Sequence, residues 1–561
     1  MITWRRAAGI AAVWLWFPAL IGFVWLLLRW LAPGVGGDRV IALWVQRWFF
    51  PNGLAHLAGW FWLWAAINLV ITAMILGFPD EYMGPIGWAW TIPATAAVLV
   101  VVWPFTVAVW DNDKDLARYY DKAAVIHVPS LADPPASLSA LLNGAHPGRG
   151  GCVRVSKHDV PSCIVQDNGY ASMVWESRTS GLVSARTAMT QAASQTQGVD
   201  VMASSMTYVW GTRPNTGQWS AILDGSGDNT PAYGVAEWDG QSNAATVCRF
   251  TGDHKFDRAF NGSGTNNLRH LLAEKYPRLF FADDDVRGYC EGDRPTIVIA
   301  AQRQVGYKNR TVQVPAGVLI LRGTRDGQPD ITHQKTVKPG ELPVPVYPIS
   351  LTRIQRDATA WVAGRGNHEQ KFGFQVSSFE TQKDNPGEYN LRGADQRLHY
   401  VTPMTPRGTQ SQAFVAYGIV ADDEVTDGRL NRYDLYVLGT DDPMIANLAT
   451  LNAKSSLISA QNGATLEGFI PLGGDRWRVY GVRNGQTVFY INLSASSQIQ
   501  PETVMSGSSE TQQPTQPQPQ PQPSQQPATT DCGKSPAQLD NKQLAKCIAD
   551  LGDELRRRNG G

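Results

Sequence analysis

Apolar residues follow two different patterns along this chain. Before about position 110 they form three long uncharged runs, at about 7–28 ("AAGIAAVWLWFPALIGFVWLLL"), 57–78 ("LAGWFWLWAAINLVITAMILGF") and 86–110. Each is as long as the roughly 20 residues a helix needs to cross a bilayer. Together they predict a membrane α-helical N-terminal region, 1–110, with three transmembrane helices. Of the 20 Trp residues 14 lie in this region, and Trp4, Trp30, Trp60, Trp88 and Trp110 fall near the ends of the runs, where an indole suits the membrane–water interface. The first run is too long for the apolar part of a secretory leader and two more follow it, so cleavage is not expected. Between the first two runs, "GDRVIALWVQRWFFPNG" predicts an interfacial helix. Asp38 would cap it and Pro51 stop it, with Arg39 and Arg47 on one side and Val40, Ile41, Trp44 and Trp48 on the other.

After a connector at 111–150 the pattern changes to short alternating runs bounded by Gly, Asn, Asp and Pro. They predict a β-rich α+β soluble domain over 151–498. Strand candidates include "MTYVWG", "AYGVAEW", "TVCRF", "TIVIAA", "AGVLILRG", "QAFVAYGIV", "YDLYVLG", "RWRVYGV" and "TVFYINL". The last two flank Arg483-Asn484-Gly485-Gln486, and Asn-Gly between alternating runs predicts a hairpin whose two central residues both take positive φ. Four helical patterns interrupt the strands: a polar, exposed one at "SGLVSARTAMTQAASQTQG", and three beginning near Thr265, Ser350 and Asp442. Those last starts are about 85 and 92 residues apart, which allows either two or three related α+β modules or one irregular domain.

A Pro/Gln alternation then marks a disordered linker over 499–531, too poor in apolar residues to pack. Beyond it, 532–561 predicts a short C-terminal helical segment. Leu544, Ile548, Leu551 and Leu555 fall on one face, at spacings that suit docking on a partner or coiled-coil self-association. So small a unit cannot bury enough surface to stand alone.

Charge and cysteine usage disagree about which side of a membrane the large domain occupies. Arg5 and Arg6 flank the first run, whereas Arg29, Arg39, Arg47, Lys114, Arg118 and Lys122 lie on the other side and would draw the domain into the cytoplasm. All six cysteines, Cys152, Cys163, Cys248, Cys290, Cys532 and Cys547, follow the third run. An even set confined to one side fits disulfides in an exported domain. The nearest-neighbour pairing, 152 with 163, 248 with 290 and 532 with 547, is the simplest of several that remain open. We weigh the cysteines more heavily, because Asp111, Asp113 and Asp115 just past the third run dilute the charge argument. The expected localisation is thus a multi-pass cell-membrane protein with an extracytoplasmic domain.

Lys plus Arg and Asp plus Glu both total 49, and no basic stripe is interleaved with aromatics, so nucleic-acid binding is not indicated. There is no nucleophile elbow, P-loop, zincin helix or Cys-x-x-Cys, and no cofactor is implied. "DDDVRGYCEGD" places Gly288 sixth from Asp283, as a calcium loop would, and makes Asp283, Asp285 and Asp293 weak metal candidates; its twelfth residue, Arg294, is the wrong charge. "GGCVRVSKHDVPSC" holds Cys152, His158, Asp159 and Cys163, a spacing better suited to a disulfide than to a Cys–His nucleophile.

The Arg-over-Lys bias, the Trp-rich runs and phrases such as "NNLRHLLAEKYP" and "KPGELPVPVYPISL" resemble uncharacterised membrane proteins of high-GC actinobacteria and of their phages or mobile elements. That resemblance implies no site residues. The expected function is non-enzymatic: a membrane-anchored envelope protein, in contact with the lipid bilayer, whose exported domain binds or scaffolds other envelope components and whose tethered helix docks a partner or a second copy. A cytoplasm-facing assembly module and an envelope enzyme with a site assembled from distant residues are the alternatives.

Overall fold

The computed structural model describes residues 7–16, 19–20, 23 and several positions between 65 and 72, then 113–128, 145–147, 153–155 and 162–505, with gaps at 168, 179, 212–215, 228–229, 243, 261–265, 308–309, 360–373, 377–387, 407–412, 439–444 and 496–501. The chain divides into two compact units, Met1–Gly507 and Ser508–Gly561, and the second lies wholly outside the described residues.

The expected membrane architecture is corrected by the helices themselves. Among the described residues none is long and apolar enough to cross a membrane. Trp14 donates to Thr72 Oγ1 at 3.0 Å, so parts of the first two apolar runs meet through a polar contact. The third run and the interfacial segment lie outside the described residues, as do Cys152, Cys532, Cys547 and the Leu544, Ile548, Leu551 and Leu555 face. Nor do the described residues contain a coiled coil.

The expected α+β balance is corrected too, because the described residues are dominated by strands. From residue 113 on the helices are short: α1 (Asp113–Tyr120), α2 (Leu182–Ser194), α3 (Leu268–Lys275), α4 (Ile349–Ala358) and α5 (Leu448–Gln461). Most of the rest is sheet.

A mixed sheet of nine strands runs in the order Phe374–Val376, Leu398–Pro406, Ala416–Ala421, Tyr433–Val437, Ala124–Val128, Ser162–Gln166, Val153–Val155 and Ala145–Pro147, with Tyr389–Arg392 also paired to Leu398–Pro406. Ala124–Val128, within the stretch 111–150, is parallel to both its neighbours and sits near the middle of the sheet. It thereby ties the start of the domain to residues three hundred positions later. Its Ile126 and Val128 point into a core shared with Ile164, Leu435, Val298 and Leu351 of α4.

Two five-stranded sheets pack face to face. The first holds Val199–Val201, Gly217–Gly225, Gly234–Trp238 and Thr246–Arg249, with Thr207–Trp210 on its flank; the second is built on the long hairpin Arg294–Tyr307/Arg310–Arg322, with Val286–Glu291 along one side. Ile222, Val235, Ile297, Ile299, Leu319 and Leu321 fill the layer between them. Gly288 lies at a close approach of the two sheets: a Cβ there would meet Ile222 and Val235 at 2.8 and 2.9 Å. Ala221, Leu223 and Ala236, on the opposite face of the first sheet, belong to a second core with α2 and the C-terminal sheet. Gly217–Gly225 is buried on both faces, which is why its apolar residues Trp219, Ala221, Ile222 and Leu223 do not alternate cleanly with polar ones.

The C-terminal sheet is the meander Thr465–Gly473, Arg476–Arg483, Gln486–Ser494 and Glu502–Met505. Its last strand falls inside the expected 499–531 linker. Asn484 and Gly485 take φ of 53° and 75°, the primed turn that the sequence predicts. Helix α2 is not the exposed polar helix expected: Ser184, Ala185, Ala188, Met189, Ala192 and Ala193 are all buried. Their small side chains let the helix backbone approach both sheets, and Ser184 shares a 2.8 Å hydrogen bond with Thr487. The helix expected from Asp442 starts at Leu448, after Ala446–Asn447 pairs with Ala413–Phe414.

Candidate functional site

Folding separates the acidic positions singled out in the sequence. Asp283–Asp285 is a 3-10 turn, Val286–Glu291 is a strand and Asp293 sits in the turn leading to Arg294, so the segment compared with a calcium loop is mostly extended chain. Asp283 pairs with Arg269 on the surface. Asp285 is buried, accepts from the Ser350 N–H at 3.2 Å and from Gln302 Nε2 at 3.1 Å, and so caps α4 from a distant part of the chain. Among the described residues no group of three His, Cys, Asp or Glu side chains could hold a metal ion. Gly288 serves the sheet–sheet contact instead of a loop turn.

Cys248 and Cys290 are joined by a disulfide, with Cα atoms 6.1 Å apart. It links Thr246–Arg249, at the edge of one sheet of the sandwich, to Val286–Glu291 of the other. Cys163 lies in the strand Ser162–Gln166 of the nine-stranded sheet, and Cys152 lies outside the described residues.

The chemistry the sequence does not advertise lies where these sheets meet. A cavity of about 250 Å³ opens between the N-terminal half of α2, the start of α4, the sandwich and the strand Tyr389–Arg392. That is just under the ~300 Å³ where ordinary small-molecule sites begin. Tyr208, Trp219, Tyr389 and Tyr400 provide aromatic walls, and Leu182 and Ile470 provide aliphatic ones.

Four arginines line the cavity, Arg178, Arg186, Arg287 and Arg353, against two carboxylates, Asp284 and Glu388. Both carboxylates are already bound by Arg353, at 2.6 and 2.7 Å, and Arg356 also binds Glu388. Arg178 is only 6% exposed, and its guanidinium makes one hydrogen bond, from Nη2 to the Asn390 carbonyl, while its Nε has no partner. Its guanidinium lies over Trp219 and Tyr208, 4.9 and 5.3 Å from the ring centroids. Arg287, equally buried, donates to the Ser204 and Val286 carbonyls at 2.8 and 2.9 Å, and its Nε too is unpartnered. Neither arginine makes an ion pair among the described residues.

Burial lowers the Arg178 pKa, an effect that the neighbouring tyrosines and Asp422 only partly oppose. Asp422 is fully buried, with Oδ2 held by Asn390 Nδ2 and Oδ1 unpartnered. Burial pushes its carboxyl well above the usual range in spite of the Asn390 hydrogen bond, which weakens it as a counter-charge. Four arginines thus line this cavity against two carboxylates that Arg353 already pairs.

A second polar cluster occupies one face of the nine-stranded sheet. His127 lies near the end of Ala124–Val128, Asp167 follows Ser162–Gln166, and Asp434 is the second residue of Tyr433–Val437. Parallel pairing of these strands brings the three together. His127 Nδ1 is 2.7 Å from Asp167 Oδ2 and Nε2 is 2.7 Å from Asp434 Oδ1, with the ring stacked on Tyr436 at 4.1 Å. With a carboxylate acceptor at each nitrogen, both must donate, and the ring is an imidazolium. The two carboxylates engage opposite ring nitrogens, so the trio cannot converge on one metal ion.

Burial alone would lower the His127 pKa, but the hydrogen bonds to Asp434 and Asp167 outweigh it and the net shift is upward. The stability that His127 contributes is therefore complete below its ordinary value of 6.5 and is lost as pH rises through the raised folded value. Asp167 runs the other way: burial is outweighed by its hydrogen bonds to His127 and the Gly169 N–H, its pKa is lowered, and its contribution fades as pH falls below 3.8. His127→Gln should cost roughly 2 kcal/mol near pH 6, allowing for the solvent screening of the half-exposed Asp167. Urea unfolding between pH 5.5 and 8.5 checks this: the wild type should lose stability across that window relative to the variant, and parallel curves would contradict the imidazolium.

Of these residues, His127 leaves a local trace in the sequence, a lone polar ring in the apolar run "AVIHV". Arg178, Arg287, Asp422 and Asp434 leave none, because their neighbours come from segments up to three hundred residues away. No family model matches the chain, and no curated protein matches it.

Proposed function

We propose that this chain is a binding or scaffolding protein of the cell envelope, its β-rich domain facing the extracytoplasmic side and its C-terminal segment, 532–561, free to dock an envelope partner or a second copy. The observation that carries the reading is the Cys248–Cys290 bond, which joins the two sheets of the sandwich. Such a bond persists outside the reducing cytoplasm. The cavity beside α2 supports binding as the domain's task, being concave, aromatic and provided with a few convergent polar groups.

Maleimide labelling of cells making the full chain tests the placement. Cys248 and Cys290 should take up a membrane-impermeant label in intact cells only after reductant is added. Label entering both without reductant, and only after lysis, would return the domain to the cytoplasm and end this reading.

A further inference from the structure

We infer that the cavity beside α2 binds a small organic carboxylate, whose anionic group is held by Arg178 and Arg287 and whose apolar body lies against Leu182 and Ile470. This deepens the binding reading above and rests on it.

A guanidinium taken out of water without an anion is costly, and a buried cation is ordinarily paired. Arg178 and Arg287 are each 6% exposed, and neither makes an ion pair among the described residues. Their hydrogen bonds go to neutral groups, backbone carbonyls and for Arg287 also Tyr400; Asp285 and Asp422 attract Arg287 without reaching ion-pair distance, and each arginine keeps an Nε with no acceptor. Both line one cavity, so an anion bound there would meet two desolvated cations.

The carboxylates already on the wall do not fill that role. Asp284 and Glu388 are committed to Arg353. Asp422 is not part of the cavity lining; it attracts both arginines from behind the wall but forms an ion pair with neither, and its Oδ2 is held by Asn390 Nδ2. The Arg178 guanidinium is held flat against Trp219 and Tyr208 and fixed through Nη2, which orients its fork before any ligand arrives.

Size and lining select the class. About 250 Å³ admits a metabolite-sized acid, and Leu182, Ile470 and the aromatic walls favour an apolar body behind the anionic head. A carboxylate matches a planar guanidinium edge two atoms to two. Inorganic phosphate would satisfy the charge but leave the apolar half of the cavity empty.

Calorimetry and thermal unfolding of the purified full chain test the inference with three probes: hexanoate, its neutral isostere hexanamide, and inorganic phosphate. Hexanoate should bind saturably and raise the melting temperature, with hexanamide and phosphate binding at least about tenfold more weakly, the worth of one charge-assisted hydrogen bond. Arg178→Met should weaken hexanoate about tenfold and leave hexanamide unchanged. If that variant does not fold, Arg287→Gln serves the same comparison.

Equal binding of hexanoate and hexanamide would show a site that ignores charge, and phosphate binding more tightly than hexanoate would show a phosphate site; either overturns the carboxylate class while leaving the binding reading intact. No binding by any probe would overturn the inference, and cysteine labelling decides separately whether the envelope placement survives it.

Discussion

Replacing Cys248 and Cys290 together by Ser should destabilise the domain by roughly 4 kcal/mol. The bridge closes a loop of 42 residues, and in the chain-entropy account a loop of that length restricts the unfolded chain by about this much. The structural setting gives the bond a second effect. Thr246–Arg249 is the last strand of its sheet, and Val286–Glu291 pairs only with Arg294–Tyr307, so the bond fastens two strands that each have one hydrogen-bonded neighbour. Without it these edges should open first, exposing unpaired backbone that can join another chain. Urea unfolding followed by Trp fluorescence, with and without a phosphine reductant, measures the change. Identical transitions for wild type and variant under oxidising conditions would mean that the bond does not form.

Trp477→Ala should cost about 3 to 5 kcal/mol, the usual range for deleting a fully buried indole. Trp477 is the largest fully buried side chain among the described residues and stands on the C-terminal sheet, stacked on Phe414 at 5.1 Å and tilted against Tyr417 at 6.5 Å. Through it the second strand of the C-terminal meander is keyed to the nine-stranded sheet and its flank. Truncation to Ala leaves a hole that rigid strands on both sides cannot close, whereas Trp477→Phe keeps the stacked ring and should cost well under half as much. The same urea series reads both variants. A loss below about 1 kcal/mol for Trp477→Ala would show that the surrounding sheets relax into the space, contrary to the packing described.

Local physics made a good part of this fold legible. The primed turn at Asn484-Gly485 follows from two residues that tolerate positive φ, and the strands on either side follow from their alternation. "TIVIAA" and "AGVLILRG" became the long hairpin at the centre of the sandwich because β-branched runs of that length, buried on their faces, have few other stable forms. The helix expected to begin near Thr265 is α3, which starts at Leu268 after Asn267 accepts from the Arg269 N–H.

Elsewhere local physics misled. Long apolar runs alone suggested transmembrane helices, whereas among the described residues no helix is long and apolar enough to cross a membrane. The low apolar content of α2 suggested exposure, yet alanines and serines bury well wherever two sheets need a thin helix between them. Gly288 matched the glycine of a metal loop, and is required because another sheet approaches it to within a Cβ's width.

What the sequence determined by itself was thus the local vocabulary: strands, turns and the supply of cysteines. The tertiary structure decided the chemistry. Arg178 and Arg287, and His127 with Asp167 and Asp434, are ordinary residues until distant strands bring them together and exclude water. Charge and hydrogen bonding depend on neighbours and on solvent access, and no window of the sequence contains either.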